Sequence, residues 1–329
     1  MWKMAFFDTK PYDEAGFREA GARYGIEYCF FETRMTAATC SLAKGCDGVV
    51  VFVSDTVDGE VIERLWSMGI RLIALRCAGF NNVDLRAASG RVTVVRVPSY
   101  SPSAVAEHAF ALLLTLWRKV HRAYLRTREF NFSLNGLVGT GLRGKTVGVI
   151  GTGKIGRAFA EIARGFGMEV LAYDPYPDEG MGLSYRTLAE VMARSDVLSL
   201  HCPLTAETRH MIDKAAIASM KKGAVLINTS RGGLVDSEAL LDGLRSGRLG
   251  GACLDVYEEE TELFYEDLSD QTVRDELLAT LISLPNVIVT SHQAFLTEEA
   301  LEAIAETTSR NISEVLSGHP CSNEVPLYR

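Results

Sequence analysis

The sequence predicts an α/β protein that contains two parallel sheets, each covered by helices. Three observations support this fold class: strand-like runs alternate with amphipathic stretches, the alternation occurs in two blocks, and a proline-containing break separates the blocks. Strands that are buried on both faces are nearly continuous runs of Val, Ile, Leu and Ala, as most of the runs here are. We therefore expect two doubly wound domains, each built around its own sheet.

The first block covers about the first hundred residues. Its strand-like runs are residues 3–7, 27–31, 48–53, 71–75 and 93–97. The pattern then stops at residues 97–103, where Ser101 is a candidate N-cap and Pro102 suits a first helical position. We expect a helix from Ala104 to about Val120 and a hinge between domains just before it.

The second block starts at Gly144 and predicts a six-stranded sheet. Its strand-like runs are residues 146–150, 169–173, 197–201, 224–228, 251–254 and 287–290. After Phe295 the chain predicts one amphipathic helix, residues 297–316, with Thr297 as its cap. We expect this helix to return to the first domain. The acidic segment 258–275 contains no obvious core element.

Composition excludes several classes of protein. The chain has 329 residues, 47% of them apolar and 23% charged, which is typical of a soluble globular protein of two domains. A net charge of −8 without a basic block argues against a nucleic-acid partner. The longest apolar run, residues 104–117, contains Glu107 and His108 and is too short for a membrane span.

The seven cysteines are scattered without a C-x-x-C spacing, which predicts reduced thiols and no metal site. The first eight residues are too short and too charged for a signal peptide, so we expect a cytoplasmic protein.

A glycine-rich turn opens the second block. Gly151, Gly153 and Gly156 follow the strand 146–150 and precede a helical stretch. The spacing alone is weak evidence, but this strand–turn–helix context is typical of a Rossmann dinucleotide site. There the first glycine permits the tight turn, the second lets the pyrophosphate approach, and the third lets helix and strand pack closely. The diphosphate is then held at the helix N-terminus.

Asp174 ends the next strand, 18 residues after Gly156 (174 − 156). An acid at about this spacing accepts hydrogen bonds from the adenosine ribose, and its charge repels a 2′-phosphate. We therefore expect NAD rather than NADP. The alternative is a simple turn aspartate before Pro175.

Three polar residues follow strand-like runs in the second block: Arg231, Glu260 and His292. Reduction of a 2-keto acid by a nicotinamide needs a cation for the carboxylate, a proton donor, and a partner that keeps the donor charged. Arginine suits the first role, and histidine, with an ordinary pKa of about 6.5, suits the second. Spacing does not separate Glu260 from the adjacent Glu258 and Glu259, and His201 competes with His292.

The sequence resembles the D-isomer-specific 2-hydroxyacid dehydrogenases over essentially its whole length, and among them the bacterial fermentative D-lactate dehydrogenases. The motifs that carry the resemblance are residues 75–84, 149–156, 174–177, 201–205, 228–233, 255–258 and 291–297. The resemblance implies that Arg231 binds the substrate, that His292 donates the proton, and that Glu260 is its partner because it lies five positions after Asp255.

The same resemblance implies further site residues. Asp255 would contact the nicotinamide carboxamide, and His201 would lie beside the cofactor rather than act as the acid. The other implied cofactor residues are Lys154, Ile155, Cys202, Pro203, Thr208, Thr229 and Ser230. The implied substrate residues are Ala78 and Gly79, through their backbone, and Tyr100 and Phe295, which would shape the pocket.

The resemblance also implies the organisation of the molecule. Residues 1–100 and 297–329 would form a flavodoxin-like catalytic domain and residues 101–296 the Rossmann NAD domain, with a cleft between them. A homodimer or homotetramer is expected, paired through the helix 104–117. The expected reaction is NADH-dependent reduction of pyruvate to D-lactate, since the order arginine, glutamate, histidine belongs to the D-specific family.

Two alternatives stay open at this point. One is a reductase for another small 2-keto acid, such as glyoxylate, hydroxypyruvate or a bulkier compound, because the motifs define the reaction better than the side-chain pocket. The other is a corepressor-like protein that senses NAD, since transcriptional corepressors are similar to this family.

Overall fold

The computed structural model describes residues 1–260, 263–272 and 274–326. The chain divides into two compact units, one formed by Met1–Ser101 with Leu296–Arg329 and the other by Pro102–Phe295. Each unit is built around one sheet in which all neighbouring strands are parallel. This confirms the predicted fold class.

Twelve strands and eleven α-helices lie within the described residues. The strands are β1 (Trp2–Phe6), β2 (Ile26–Phe30), β3 (Gly48–Val51), β4 (Leu72–Leu75), β5 (Thr93–Val95), β6 (Thr146–Ile150), β7 (Glu169–Tyr173), β8 (Ser184–Tyr185), β9 (Val197–Leu200), β10 (Ala224–Asn228), β11 (Leu249–Leu254) and β12 (Val287–Val289). The helices are α1 (Pro11–Tyr24), α2 (Gly59–Ser67), α3 (Leu85–Ala88), α4 (Pro102–Arg118), α5 (Val120–Arg128), α6 (Lys154–Gly165), α7 (Leu188–Arg194), α8 (Lys214–Ser219), α9 (Ser237–Arg245), α10 (Glu276–Ser283) and α11 (Glu298–Leu316).

The first unit has the strand order β2-β1-β3-β4-β5, which is the flavodoxin-like order. Strands β3 and β4 are buried throughout because helices cover both of their faces. On one face Phe6 packs edge-on against Phe17 of α1, with ring centroids 4.7 Å apart. Helix α11 packs beside α1, and the Thr297 hydroxyl accepts the Ala300 N–H as predicted for its cap. The C-terminal helix therefore completes the first unit.

The second unit has the strand order β12-β11-β10-β9-β6-β7-β8. The order reverses between β6 and β9, and that reversal is the place where a doubly wound sheet binds its ligand. Successive residues of each strand supply opposite faces. Val147, Val197 and Val225 pack with α4 and α6, whereas Leu198 and Leu226 pack with α7 to α10. Each face of the sheet thus has its own apolar core.

Three details differ from the sequence predictions. The second sheet has seven strands and not six, because the two-residue strand β8 pairs with β7 at one edge and is too short to give a periodic signal. A second helix, α5, follows α4. The acidic segment 258–275 does contribute to the core, since Phe264 is buried there. Residues 261, 262 and 273 of that segment, and the terminal 327–329, lie outside the described residues.

Candidate functional site

The glycine turn lies between β6 and α6, at the point where the strand order reverses. Gly151 has a φ of +90°, and a Cβ there would lie 2.7 Å from the backbone of Cys202. A Cβ on Gly156 would lie 2.0 Å from the Gly151 carbonyl oxygen. By contrast, a Cβ on Gly153 meets no described atom within 4 Å. Two of the glycines are therefore required by packing, while Gly153, the N-cap of α6, borders open space of the kind a pyrophosphate needs.

Asp174 follows β7 and is tied to the same turn. Its Oδ2 accepts hydrogen bonds from the Thr152 N–H and hydroxyl at 2.7 and 3.0 Å, and its Oδ1 accepts the Tyr176 N–H at 2.9 Å. Burial opposes ionisation, but these hydrogen bonds together with the charge of Arg157 hold the pKa of Asp174 below its usual value. The side chain is therefore an anion beside the turn, as discrimination against a 2′-phosphate requires.

His201 follows β9, and its imidazole packs against the Phe159 ring of α6. The ring is 4.8 Å from the Phe159 ring, Nε2 pairs with the Ser199 hydroxyl at 2.9 Å, and Nδ1 is buried without a protein partner among the described residues. Burial lowers the pKa of His201 to about 3. Burial thus favours the uncharged ring, which makes His201 a weaker candidate than His292 for an imidazolium donor.

His292 and Glu260 form a hydrogen-bonded pair. His292 Nδ1 lies 2.8 Å from Glu260 Oε1, and about four-fifths of each side chain is buried (18% and 20% exposed). The second oxygen of Glu260 accepts the Tyr257 N–H at 2.9 Å, which fixes the carboxylate. His292 Nε2 has no partner within the described part of the chain and is not buried, so one ring nitrogen remains available to a ligand.

Asp255 anchors the loop that carries His292. The carbonyl oxygen of Asp255 accepts the His292 N–H at 2.7 Å. Its carboxylate accepts the Thr290 hydroxyl at 2.6 Å and the N–H groups of Gln293 and Ala294 at 2.9 and 2.8 Å. The residue has no exposed surface. The contact between Asp255 and the nicotinamide carboxamide stays a prediction, and the carboxylate that would make it is oriented by donors of its own loop.

Glu258 belongs to a second histidine–glutamate pair. Its Oε1 lies 2.6 Å from His210 Nε2 and 2.9 Å from Arg209 Nη2. Sequence spacing did not separate Glu258 from Glu260, but the structure does, because only Glu260 contacts His292. The His210–Glu258 pair was not found from the sequence, and no local motif indicates it.

Arg231 lies between the end of β10 and a short 3₁₀ helix, Gly232–Leu234. Its Nη1 donates to the Ser230 carbonyl oxygen at 2.7 Å, and its own carbonyl oxygen accepts the Asn228 amide. Among residues 1–260, 263–272 and 274–326, no carboxylate forms an ion pair with its guanidinium. The partly buried cation is therefore held by the backbone, and its charge is available to an anion.

The remaining candidate cofactor residues lie at the start of α6 and in the segments that follow β9 and β10. Lys154 is exposed and Ile155 half-buried at the start of α6. Burial raises the pKa of the Cys202 thiol to about 11, so it is not a reactive thiolate. The Thr208 hydroxyl donates to the Pro203 carbonyl oxygen at 2.7 Å.

Two hydroxyls follow β10. The Ser230 hydroxyl donates to the Leu200 carbonyl oxygen at 2.8 Å, whereas the Thr229 hydroxyl is buried without a protein partner among the described residues. Together with His201 Nδ1, Thr229 Oγ1 is a polar atom that a ligand or water would satisfy.

The candidate substrate residues are distributed over both units. Ala78 and Gly79 are half-buried beyond β4, and neither N–H has a backbone acceptor among the described residues. The Ala78 carbonyl oxygen accepts from Arg96 at 2.8 Å, which fixes this segment. Tyr100 is half-buried near the end of the first segment of unit one, and Phe295, the last residue of unit two, is buried.

Among the described residues, no group of three or more His, Cys, Asp or Glu side chains is arranged to hold a metal ion. None of the described helices combines the length and the apolar character that a membrane crossing requires.

Comparison with known proteins agrees with this geometry. Residues 110–294 match the family model described as the D-isomer-specific 2-hydroxyacid dehydrogenase NAD-binding domain. The chain is 48% identical to the D-lactate dehydrogenase of Escherichia coli over 327 residues, which cover 98% of this chain and 99% of that protein. A structure of the pyruvate reductase of Chlamydomonas reinhardtii matches with a TM-score of 0.93 at 46% identity, over 98% of each chain.

A second solved structure contains the cofactor. The NAD complex of the D-isomer-specific 2-hydroxyacid dehydrogenase from Lactobacillus delbrueckii ssp. bulgaricus matches with a TM-score of 0.81 at 30% identity, over 98% of this chain and all of that one. The glycine turn, the ionised Asp174 and the unsatisfied Thr229 hydroxyl are the features of the present chain that suit NAD. The chain belongs to the D-isomer-specific 2-hydroxyacid dehydrogenases and carries their NAD-binding domain.

Proposed function

We propose that this protein is an NAD-dependent D-lactate dehydrogenase that reduces pyruvate to D-lactate. The observation that carries the proposal is the His292–Glu260 pair, 2.8 Å apart, in which Glu260 occupies one ring nitrogen and leaves the other available. A histidine whose one ring nitrogen is bound to a carboxylate can donate a proton from its other ring nitrogen to a developing alkoxide, which is the role of a general acid. The relatives named D-lactate dehydrogenase and pyruvate reductase support pyruvate as the substrate.

The residues act as follows in this proposal. Arg231 binds the substrate carboxylate, because its guanidinium is held in place but has no ion-pair partner among the described residues. NADH, when bound, would be the source of the hydride for the carbonyl carbon. His292 delivers the Nε2 proton to the carbonyl oxygen, and Glu260 stabilises the charged ring and fixes its orientation.

The first unit, residues 1–100 and 297–329, is proposed as the catalytic domain, and residues 101–296 as the NAD domain. Two N–H groups, those of Ala78 and Gly79, would bind the substrate carboxylate together with Arg231. Tyr100 and Phe295 would limit the size of the substrate side chain. Lys154, Thr208 and Ser230 stay proposed cofactor contacts, and Thr229, with its buried hydroxyl, is the best supported of this group.

A keto-acid panel tests the proposal. Purified protein with NADH is assayed with pyruvate, glyoxylate, hydroxypyruvate and a branched 2-keto acid, and kcat/KM is compared. We expect pyruvate to give the highest value. A higher value for another keto acid would reassign the substrate, and no NADH oxidation with any of them would favour the corepressor-like alternative.

We also propose that the protein is a homodimer or homotetramer. The helix predicted to pair, α4, buries Ala109, Phe110 and Leu113 in its own unit, so it offers little apolar surface. The segment that follows has exposed apolar side chains, which a second copy would cover. They are Tyr124, Leu125, Phe130, Phe132, Leu134 and Val138. Sedimentation of Phe130→Ser with Phe132→Ser tests this, since the double variant should be monomeric.

A reducing, cytoplasmic location belongs to the same proposal. All seven cysteines are free thiols, which is the usual state in that compartment.

A further inference from the structure

His108 lies on α4, outside every motif considered above. Its Nε2 is 3.1 Å from the Thr290 hydroxyl oxygen and 3.3 Å from Asp255 Oδ1, and its side chain is 18% exposed. Both contacts are to the residues that anchor the His292 loop. We propose that His108 is a positioning residue for the proton donor, an inference that rests on the proposed role of His292.

The number of protons available defines which atom donates in each of these hydrogen bonds. The Thr290 hydroxyl has a single proton and donates it to Asp255 Oδ1 at 2.6 Å. Its oxygen can therefore only accept from His108, so His108 Nε2 carries a proton. The N–H is shared between the hydroxyl oxygen and the carboxylate. His108 thus acts as a donor toward the Thr290–Asp255 pair.

Asp255 depends on such donors because it is buried. No Lys or Arg forms an ion pair with it among the described residues, and His108 is the one side chain there that could bring a positive charge. A buried carboxylate that loses a donor either moves toward another or admits water. Either change would alter the loop, since Asp255 also holds the backbone N–H groups of His292, Gln293 and Ala294.

The loop conformation makes His292 sensitive to this anchor. His292 has a φ of +53°, in the left-handed region that non-glycine residues rarely adopt. The hydrogen bonds to Asp255 stabilise that backbone. Helix α4 is firmly packed, with Ala106, Ala109 and Leu112 buried around His108. His108 therefore connects a rigid helix to a strained loop, and a shift of about 1 Å at His292 is enough to lower turnover by roughly a hundredfold.

Two substitutions of His108 distinguish the effect of losing its N–H donor from the effect of changing the size of its side chain. His108→Leu removes the N–H, whereas His108→Gln keeps an N–H near the position of Nε2. His121→Leu is the matched control, because that histidine lies on α5 and its one hydrogen bond within the described part of the chain is to the Thr115 carbonyl oxygen, at 3.3 Å. We expect His108→Leu to lower kcat for pyruvate about tenfold to a hundredfold with unchanged NADH affinity, and His108→Gln to recover most of it.

The measurements are kcat and KM for pyruvate, the NADH dissociation constant from fluorescence, and far-ultraviolet circular dichroism. Turnover of His108→Leu within about twofold of wild type would overturn the inference. So would equal losses in the Leu and Gln variants, or a loss confined to NADH binding. If His108→Leu does not fold, His108→Asn, which is too short to reach Thr290, replaces it. An inactive wild-type protein would instead reject the proposed function itself.

Discussion

Two histidine–glutamate pairs lie in the same unit of this protein, and both use the acidic run after β11. His292 pairs with Glu260 at 2.8 Å, and His210 pairs with Glu258 at 2.6 Å. Both histidines have a positive φ, +53° and +51°. By residue type and distance alone the two pairs are equivalent.

Their surroundings differ. Arg209, whose side chain is 58% exposed, shares the Glu258 carboxylate at 2.9 Å, and the His210 side chain is itself 37% exposed. No Arg or Lys among the described residues pairs with Glu260, whose second oxygen is held by a backbone N–H. The two pairs therefore differ in whether an arginine shares the carboxylate and in the exposure of the histidine, and not in the distance between the partners. Four pairs of matched variants test whether this difference matters for activity.

The largest expected difference is between His292→Gln and His210→Gln. Removal of a general acid costs about 10²–10⁴-fold in turnover, so His292→Gln should lower kcat by that amount. His210→Gln should leave kcat within about twofold, because its pair lies on the surface. Steady-state pyruvate reduction measures both. Near-native turnover of His292→Gln would show that His292 is not the proton donor, and the two pairs would then not differ in function.

Arg231→Gln and Arg209→Gln form the second comparison. A charge-assisted contact contributes about 1.5–3 kcal/mol, so Arg231→Gln should lower kcat/KM for pyruvate roughly ten- to a hundredfold. Arg209 pairs only with Glu258 among the described residues, and its substitution should have little effect. Saturation curves for pyruvate check this. Equal losses would place the substrate carboxylate elsewhere.

Glu260→Gln and Glu258→Gln separate the two carboxylates. Without Glu260 the imidazole loses the partner that orients it and stabilises its charge, so Glu260→Gln should lower kcat for pyruvate roughly tenfold. Glu258→Gln should leave kcat within about twofold. The measurement is steady-state kcat for pyruvate at saturating NADH. Unchanged turnover of Glu260→Gln would count against the pairing.

The smallest change in activity is expected from a substitution at the cofactor turn. Asp174 lies there and belongs to neither histidine–glutamate pair. If Asp174 binds the ribose as proposed, Asp174→Asn would weaken those hydrogen bonds and relieve repulsion of a 2′-phosphate, so the preference for NADH over NADPH should fall about tenfold. Asp178→Asn is the control, since that acid is exposed and pairs with Arg157 at 3.4 Å. Comparing kcat/KM for the two cofactors decides the point. An unchanged preference would assign the ribose contact to another residue.

Much of this arrangement could be predicted from the sequence. Long apolar runs indicated most of the strands of both sheets, because burial on two faces gives a strong signal. Arg231 and His292 could be proposed because polar residues at strand ends meet at one edge of a sheet. The two-residue β8 has no such signal. Neither does α5, a helix of nine residues without a buried side chain.

Other parts depend on pairing in space. Glu258 and Glu260 are two residues apart in one acidic run, and only the fold directs one toward His210 and the other toward His292. His108 lies within an apolar helical run and has no neighbour in sequence that indicates its contact with Thr290, 182 residues away. Asp255 was assigned to the cofactor by resemblance, but its burial and its donors were visible only in the structure.

The chirality of the product decides whether the protein is a D-lactate dehydrogenase. Wild-type protein is incubated with pyruvate and NADH, and the lactate formed is resolved by chiral chromatography while NADH oxidation is followed. Each NADH oxidised should yield one lactate, all of it the D isomer. Formation of L-lactate, or no lactate despite folded protein that binds NADH, would rule out the proposed function.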